Sequence, residues 1–244
     1  CMSKLAKTLQ AAAGNAGGDK LYVDDVFSTY LYTGTGSAIT ITNGIDLDGE
    51  GGMVWFKSRD VARAHSIWDT ARPATDELDP SQSWAATVGA AGITSYNSNG
   101  FAISTQGNIN RSNEDFVSWT FRKSPKYFDI VTWTGDDTTN RTHAHNLGSV
   151  PGLIIVKATS RSSNWTCYHR SLGNTKGLSL NSTDAAYNST AWNSTSPTDT
   201  VFTATSSTVN EAGETYVAYV FAHDAGGFGD DGEQDVISCG SVVL

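Results

Sequence analysis

The sequence predicts an all-β protein: two tandem β-sandwich units of the jelly-roll or concanavalin A-like kind, each about 100 residues long, behind a short N-terminal helical segment. Three observations carry that expectation. First, Gly52-Met-Val-Trp-Phe-Lys57 lines up with Gly152-Leu-Ile-Ile-Val-Lys157, an offset of 152 − 52 = 100. The same offset pairs Leu78 with Leu178, Asn110 with Asn210, and EDFVSWTF (Glu114 to Phe121) with ETYVAYVF (Glu214 to Phe221). Second, Val117, Trp119 and Phe121 alternate with Ser118 and Thr120, the period of two that marks a half-buried strand, and Val217, Tyr219 and Phe221 repeat it. Third, Ser and Thr make up 27 + 29 = 56 of 244 residues while only 17% of residues are charged. Helical bundles and coiled coils need denser Ala, Glu, Lys and Leu than this.

The elements follow in chain order. Residues 1–21 place Met2, Leu5 and Leu9 at helical spacing before the breaker run Gly14-Asn-Ala-Gly-Gly18, which predicts an amphipathic attachment helix and a link. Residues 22–126 form the first unit and 127–244 the second. Within each, Met53 to Phe56 and Leu153 to Val156 are continuous apolar runs, as buried central strands require. The turn pairs Asn43-Gly44, Asp48-Gly49, Asn99-Gly100, Pro151-Gly152 and Ala212-Gly213 separate the runs. Gly100-Phe101 faces Val201-Phe202, and Tyr32-Thr33-Gly34 faces Trp133-Thr134-Gly135, at an offset of 101, so a single-residue indel separates the registers. From about residue 235, Asp235-Val-Ile-Ser238 repeats the pattern of Phe128-Asp-Ile-Val131, which predicts a closing strand or the start of a third unit.

Sixteen basic against 25 acidic side chains give a net charge of −9, with no Lys/Arg cluster, which argues against nucleic acid and anionic membranes as partners. No apolar run is long enough to span a bilayer, and the N-terminus lacks a signal-peptide core. Three cysteines without CxxC spacing give no disulfide framework.

Candidate chemistry is sparse. His143-Ala-His145 places two imidazoles on one side of a strand, matched in the first unit by Thr40 and Thr42; two ligands are too few for a metal, and a solvated face is expected. Asp230, Asp231 and Glu233 are the best candidates for a calcium site, although they lack the EF-hand spacing. Cys167, at the position of Ile67, reads as a buried strand side chain, and Glu114 and Glu214 as structural turns or caps rather than an active site. No nucleophile elbow or phosphate loop occurs, so no catalytic residue is expected. Trp55, Trp119 and Trp133 lie in strands and are assigned to core or half-core. Trp84, Tyr96, Tyr187 and Trp192 lie in polar, turn-rich segments, where exposed rings among Asn, Asp, Ser and Thr suit sugar binding.

The segments GGMVWFKSRD, HSIWDTARP, SNGFAIS, NEDFVSWTFRK, FDIVTWTG, HNLGSVPGLIIVKATSRSSNWTCYHRSLGNTKGLSLN and YVAYVFAHD, in this order over roughly residues 22–244, resemble the repeated domain of virion and tail-fibre structural proteins of marine and cyanobacterial bacteriophages. The resemblance implies a non-enzymatic virion component, made in the host cytoplasm and exposed on the extracellular particle. It further implies homo-oligomers, often trimers, and partners among other tail or capsid proteins and host surface polysaccharide. It carries no catalytic motif; Gly52, Trp55, Lys57, Trp68, Asp69, Gly100, Phe101, Gly152, Lys157, Tyr168, His169 and Arg170 read as architectural. A purely structural capsid or tail role, and a glycan-active enzyme working through Asp230 or Glu114, are the alternatives.

Overall fold

The computed structural model describes residues 20–241. The attachment helix expected at Met2, Leu5 and Leu9 lies outside the described residues. After a single helical turn, α1 (Val23–Val26), the chain runs β1 (Phe27–Thr33), β2 (Ile39–Thr42), β3 (Gly52–Ser58), β4 (Ser66–Asp69), β5 (Ile93–Asn97), β6 (Gly100–Ile103), α2 (Gly107–Asn110) and β7 (Asp115–Arg122). It then runs through β8 (Phe128–Thr134), β9 (Thr142–Ala144), β10 (Leu153–Ala158), β11 (Thr166–His169), β12 (Lys176–Ser179), β13 (Tyr187–Asn188), β14 (Val201–Thr203), α3 (Ser207–Asn210) and β15 (Thr215–Phe221).

The repeat is a repeat of topology. A large sheet ordered β1-β7-β3-β4 is matched by β8-β15-β10-β11, which β12 and β13 extend. Bridges Ile67–Leu78 and Glu77–Thr87 occupy in the first unit the places of Cys167–Leu178 and Gly177–Tyr187 in the second, still 100 residues apart. Val117 pairs with Lys57, and Val217 with Lys157. Smaller sheets, β2-β6-β5 and β9-β14, cover the faces of the large ones that turn away from the other unit.

Repeated residues have repeated jobs. The buried Asn110 donates to the carbonyls of Ser37 (2.6 Å) and Ser104 (2.7 Å) and accepts from the Thr35 amide (2.9 Å), tying down the turn after β1. Asn210 does likewise with Asp136 (3.0 Å), Thr138 (3.1 Å) and Arg141 (3.2 Å). Tyr32 and Trp133 each donate to the carbonyl of the equivalent residue, Ile109 (2.5 Å) or Val209 (3.1 Å). Gly34 and Gly135 recur because any Cβ there would collide with the carbonyls of Arg111 and Glu211.

Three cores result. Val54, Phe56, Trp68 and Phe101 fill the first unit, and Ile154, Val156, Tyr168, Phe202 and Tyr216 the second. The third core lies between the two large sheets: Met53, Ile67 and Leu78 meet Phe128, Ile155, Cys167, Tyr219 and Phe221. Phe121 touches Phe128 and Phe221 across it, at ring separations of 5.7 and 5.8 Å. Strand β7 is fully covered on one side, where Phe116, Ser118 and Thr120 lie, while Trp119 and Phe121 on the other side stay partly exposed, so the half-buried reading of Phe116 to Phe121 holds with the faces exchanged. Ser118 and Thr120 are buried, with Thr120 Oγ1 accepting from Asn43 (2.8 Å), while on the opposite side Phe121 reaches the core shared with the second unit.

Among the described residues, 235–241 form no strand, although one was expected from residue 235. Instead the Ile237 carbonyl accepts the Asp224 amide (3.1 Å), Cys239 is buried, and Phe228 enters the intersheet core beside Leu21.

Candidate functional site

The junction of the two units holds the most organised polar chemistry. Asp69 ends β4 and is fully buried; its Oδ1 accepts the amides of Ala71 (3.0 Å) and Arg72 (3.1 Å), and its Oδ2 accepts Arg72 Nε (2.8 Å). Across the junction the Tyr219 hydroxyl donates to the same Oδ2 at 2.7 Å, while Tyr96 donates to the Asp69 carbonyl at 2.9 Å. Burial first, and then the Asp69 charge, push the Tyr219 phenol far above its ordinary value, so it stays a donor.

Beyond Asp69 the segment 79–88 crosses onto the second unit as a strap. The Ala86 amide donates to the Thr159 carbonyl (2.8 Å), and the Ser83 carbonyl accepts the Ser163 amide (2.7 Å). Trp165 Nε1 lies within range of the carbonyls of Gln82 (3.0 Å) and Asp79 (3.2 Å). Lys157, buried at the end of its apolar run, directs its ammonium to the carbonyls of Ala158 (2.8 Å), Ser163 (3.0 Å) and Ser83 (3.3 Å). Burial, and then Arg161, pull it down to about 8.

Two open clefts flank these contacts. One of about 440 Å³ lies along the junction, lined by Arg72, Asp76, Val88, Thr132 and Thr159. The other, about 650 Å³, lies on the second unit between Arg161, Asn164, Asp184 and Tyr187. Its polar groups are already ordered: Arg161 donates to the Ser207 carbonyl (2.5 Å) and pairs with Glu211 (3.1 Å), and Asn164 Oδ1 accepts from Asn181 (3.1 Å). A half-exposed Tyr187 ring beside a carboxylate, an amide and a guanidinium can stack on and hydrogen-bond a sugar.

The sequence-predicted residues fall in different places. Trp84 is 62% exposed on the strap, and Tyr187 is 38% exposed at the second cleft. Tyr96 is partly buried with its hydroxyl fixed to Asp69. Trp192 corrects the expectation of exposure: at 2% exposed it stands in the second core, with its indole N–H donating to the Lys176 carbonyl (3.0 Å) and its ring edge-on to Tyr168. The four rings therefore form no common platform.

Asp230, Asp231 and Glu233 do not converge either. Asp230 accepts from Tyr22 (2.6 Å) and faces Lys20 (3.7 Å), which hold its carboxyl below the usual range, whereas Asp231 accepts the Glu233 amide (3.1 Å). Among the described residues no three His, Cys, Asp or Glu side chains are grouped to hold a metal ion.

His143 and His145 overturn the solvated-face expectation, because both are buried. The His143 ring lies 4.2 Å from that of Trp133 and 5.3 Å from that of Phe202. Burial, and then Arg141, pull His143 down to about 4. The equivalent of His143 is Ile41, since His143 pairs with Phe202 as Ile41 pairs with Phe101. Aligning it with Thr40 slips the register by one residue and exchanges the faces.

Cys167 is buried and its thiol is pushed up to about 12 by burial. Glu114 is held by a bidentate Arg63 (2.6 and 2.7 Å), while Glu214 accepts from Ser160. The Asp69–Tyr219 clasp and the Lys157 seat form only through tertiary contacts, and the repeated Lys at the end of each apolar run is their one visible signal in the sequence.

Fold and site together define an all-β protein of packed antiparallel sheets that share a core and carry an open polar cleft. The chain belongs to the DUF7483 family, a domain of unknown function, whose profile matches residues 23–232 and so runs across both units. Neither the curated proteins nor the solved structures give a match.

Proposed function

We propose that the chain is a non-enzymatic structural component of a bacteriophage appendage, a tail fibre or similar, serving particle assembly and host-surface adhesion. The observation that carries this reading is the fusion of two equivalent sandwiches through a shared apolar core and a strap of main-chain hydrogen bonds. That construction gives an elongating module whose polar outer surface is free for partners. The sequence resemblance to virion and tail-fibre repeats supplies the setting: a virion location, with homo-oligomeric, trimeric association and other tail or capsid proteins as neighbours. Mass spectrometry of purified particles tests it; the polypeptide is expected at appendage stoichiometry, and its absence from the particles refutes the reading.

The adhesive role has its own support in the cleft around Tyr187, Asp184 and Asn164. Labelled protein is expected to bind host cells saturably and to lose that binding when surface glycans are oxidised by periodate. Folded protein that binds neither treated nor untreated cells leaves a purely structural tail or capsid role. Release of reducing ends from host polysaccharide would instead establish a glycan-active enzyme.

A further inference from the structure

The two units present the same face to each other, yet one of those faces is better covered than the other. On the second unit, Lys157, Trp165, Val217 and Tyr219 are all buried, and the 79–88 strap of the first unit supplies part of that cover. On the first unit the equivalent positions are Lys57, His65, Val117 and Trp119, of which only Val117 is buried. Beside them Leu31 is 56% exposed on β1, where the second unit has Thr132.

The missing cover has a counterpart that is equally unused. Segment 179–188 of the second unit is the equivalent of the strap: Ala185-Ala186 repeats Ala85-Ala86, and Gly177–Tyr187 pairing repeats the Glu77–Thr87 bridge. In the first unit Ala86 is partly buried against the neighbouring unit, whereas Ala186 is exposed. The filled interface therefore has an acceptor, the Thr159 carbonyl, whose equivalent is the Arg59 carbonyl. It also has a third partner for the Lys157 ammonium, the Ser83 carbonyl. Lys57 shares the first of these contacts, to Ser58 (3.0 Å), makes a longer one to Val61 (3.5 Å) within its own unit, and makes none to a strap.

We infer that the open face of the first unit, around Lys57, Trp119 and Leu31, is the docking site for the 179–188 strap of a second copy of this chain. The contact repeats the junction already built inside one chain, with the Ala186 amide donating to the Arg59 carbonyl and the Thr183 carbonyl accepting from Lys57. Charge adds to the match. The strap position that is Trp84 in the filled junction is Asp184 in the free strap, and the face position that is Thr159 is Arg59 on the open face. Both Asp184 and Arg59 are exposed, and no ion pair is formed by Arg59, Lys57 or Asp184 among the described residues. A strap-to-face contact joins two different surfaces, so it is head-to-tail and builds a ring or a growing fibre rather than an isolated two-fold dimer. The proposal goes beyond the virion reading and stands without it.

Sedimentation velocity on the full chain across a dilution series tests it. The wild type is expected to associate reversibly, and more weakly as salt rises. Arg59→Asp and Asp184→Arg are each expected to weaken association at least about tenfold, and the double exchange to restore it, since reversed charges again face each other. Mixing Ala186→Pro, which removes the strap donor, with Arg59→Asp is expected to give a species that stops at two chains. A protein that stays monomeric throughout overturns the proposal, as does an oligomer that both charge variants leave intact. A monomer whose Lys57 is shielded from acylation until residues 1–19 are deleted assigns the face to the chain's own N-terminal segment and overturns it as well. A monomer found on particles, or an oligomer absent from them, separates this proposal from the virion reading.

Discussion

Tyr219→Phe isolates the bond that joins the two units at Asp69. The ring remains, so its stacking on Trp165 and Phe128, at 6.4 Å in each case, is retained, and only the hydroxyl at 2.7 Å from Asp69 Oδ2 is removed. A buried hydrogen bond to a charged acceptor contributes about 1.5–3 kcal/mol. Asp69 keeps Arg72 Nε and two amides, so the carboxylate is not orphaned and the loss belongs near the lower end, about 1.5–2 kcal/mol. With a urea m value of about 3 kcal/mol/M, the unfolding midpoint falls by about 0.5–0.7 M at unchanged m. Tyr216→Phe, which deletes a bond from the Glu211 amide (3.0 Å) inside the second unit, is the control and costs about 1 kcal/mol. A Tyr219→Phe midpoint indistinguishable from wild type, or a cost no smaller when Asp69 is already Asn, would refute the clasp as a stabilising link between the units.

Acid should weaken the fold through His143. Its folded-state value of about 4 lies below the ordinary 6.5, so the unfolded chain binds more protons between these limits, and stability falls as pH drops through that window. The loss is at most about 3 kcal/mol, and His143→Phe should flatten the profile measured by thermal unfolding. Trp192→Ala should cost about 3–5 kcal/mol in denaturant unfolding, whereas Trp84→Ala should stay within about 0.5 kcal/mol. Gly100 has φ +149°, and a Cβ there would meet the Ile41 carbonyl, so Gly100→Ala should destabilise the β2–β6 pairing by more than about 1 kcal/mol and raise hydrogen exchange at Ile41. Amine acylation of the native chain diluted to monomer should label Lys57 well before Lys157, as read by peptide mass spectrometry, and equal rates would contradict the buried Lys157 seat.

Much of the architecture was legible because the repeated residues are the ones that backbone contact dictates. Gly34 and Gly135, Asn110 and Asn210, and Lys57 and Lys157 each recur since each unit must make the same close approach, turn or strand end. What the alternating pattern left open is which side of a strand is covered. Ser118 and Thr120 read as an outer face, yet both are buried, because the small sheet and the turn after β2, whose Asn43 donates to Thr120, lie over that side. Trp192 sits in a run of Ser, Thr and Asn, and only a tertiary partner, the Lys176 carbonyl, makes its burial possible. The intersheet core is invisible to any local window, since Met53 meets Ile155 and Phe121 meets Phe221 only after both units have formed.

The most direct measurement on the functional account is immunogold electron microscopy of purified phage particles with antibodies raised against the folded chain. The account predicts labels at regular positions along a tail fibre or comparable appendage. Labelled lysate with clean particles would contradict it.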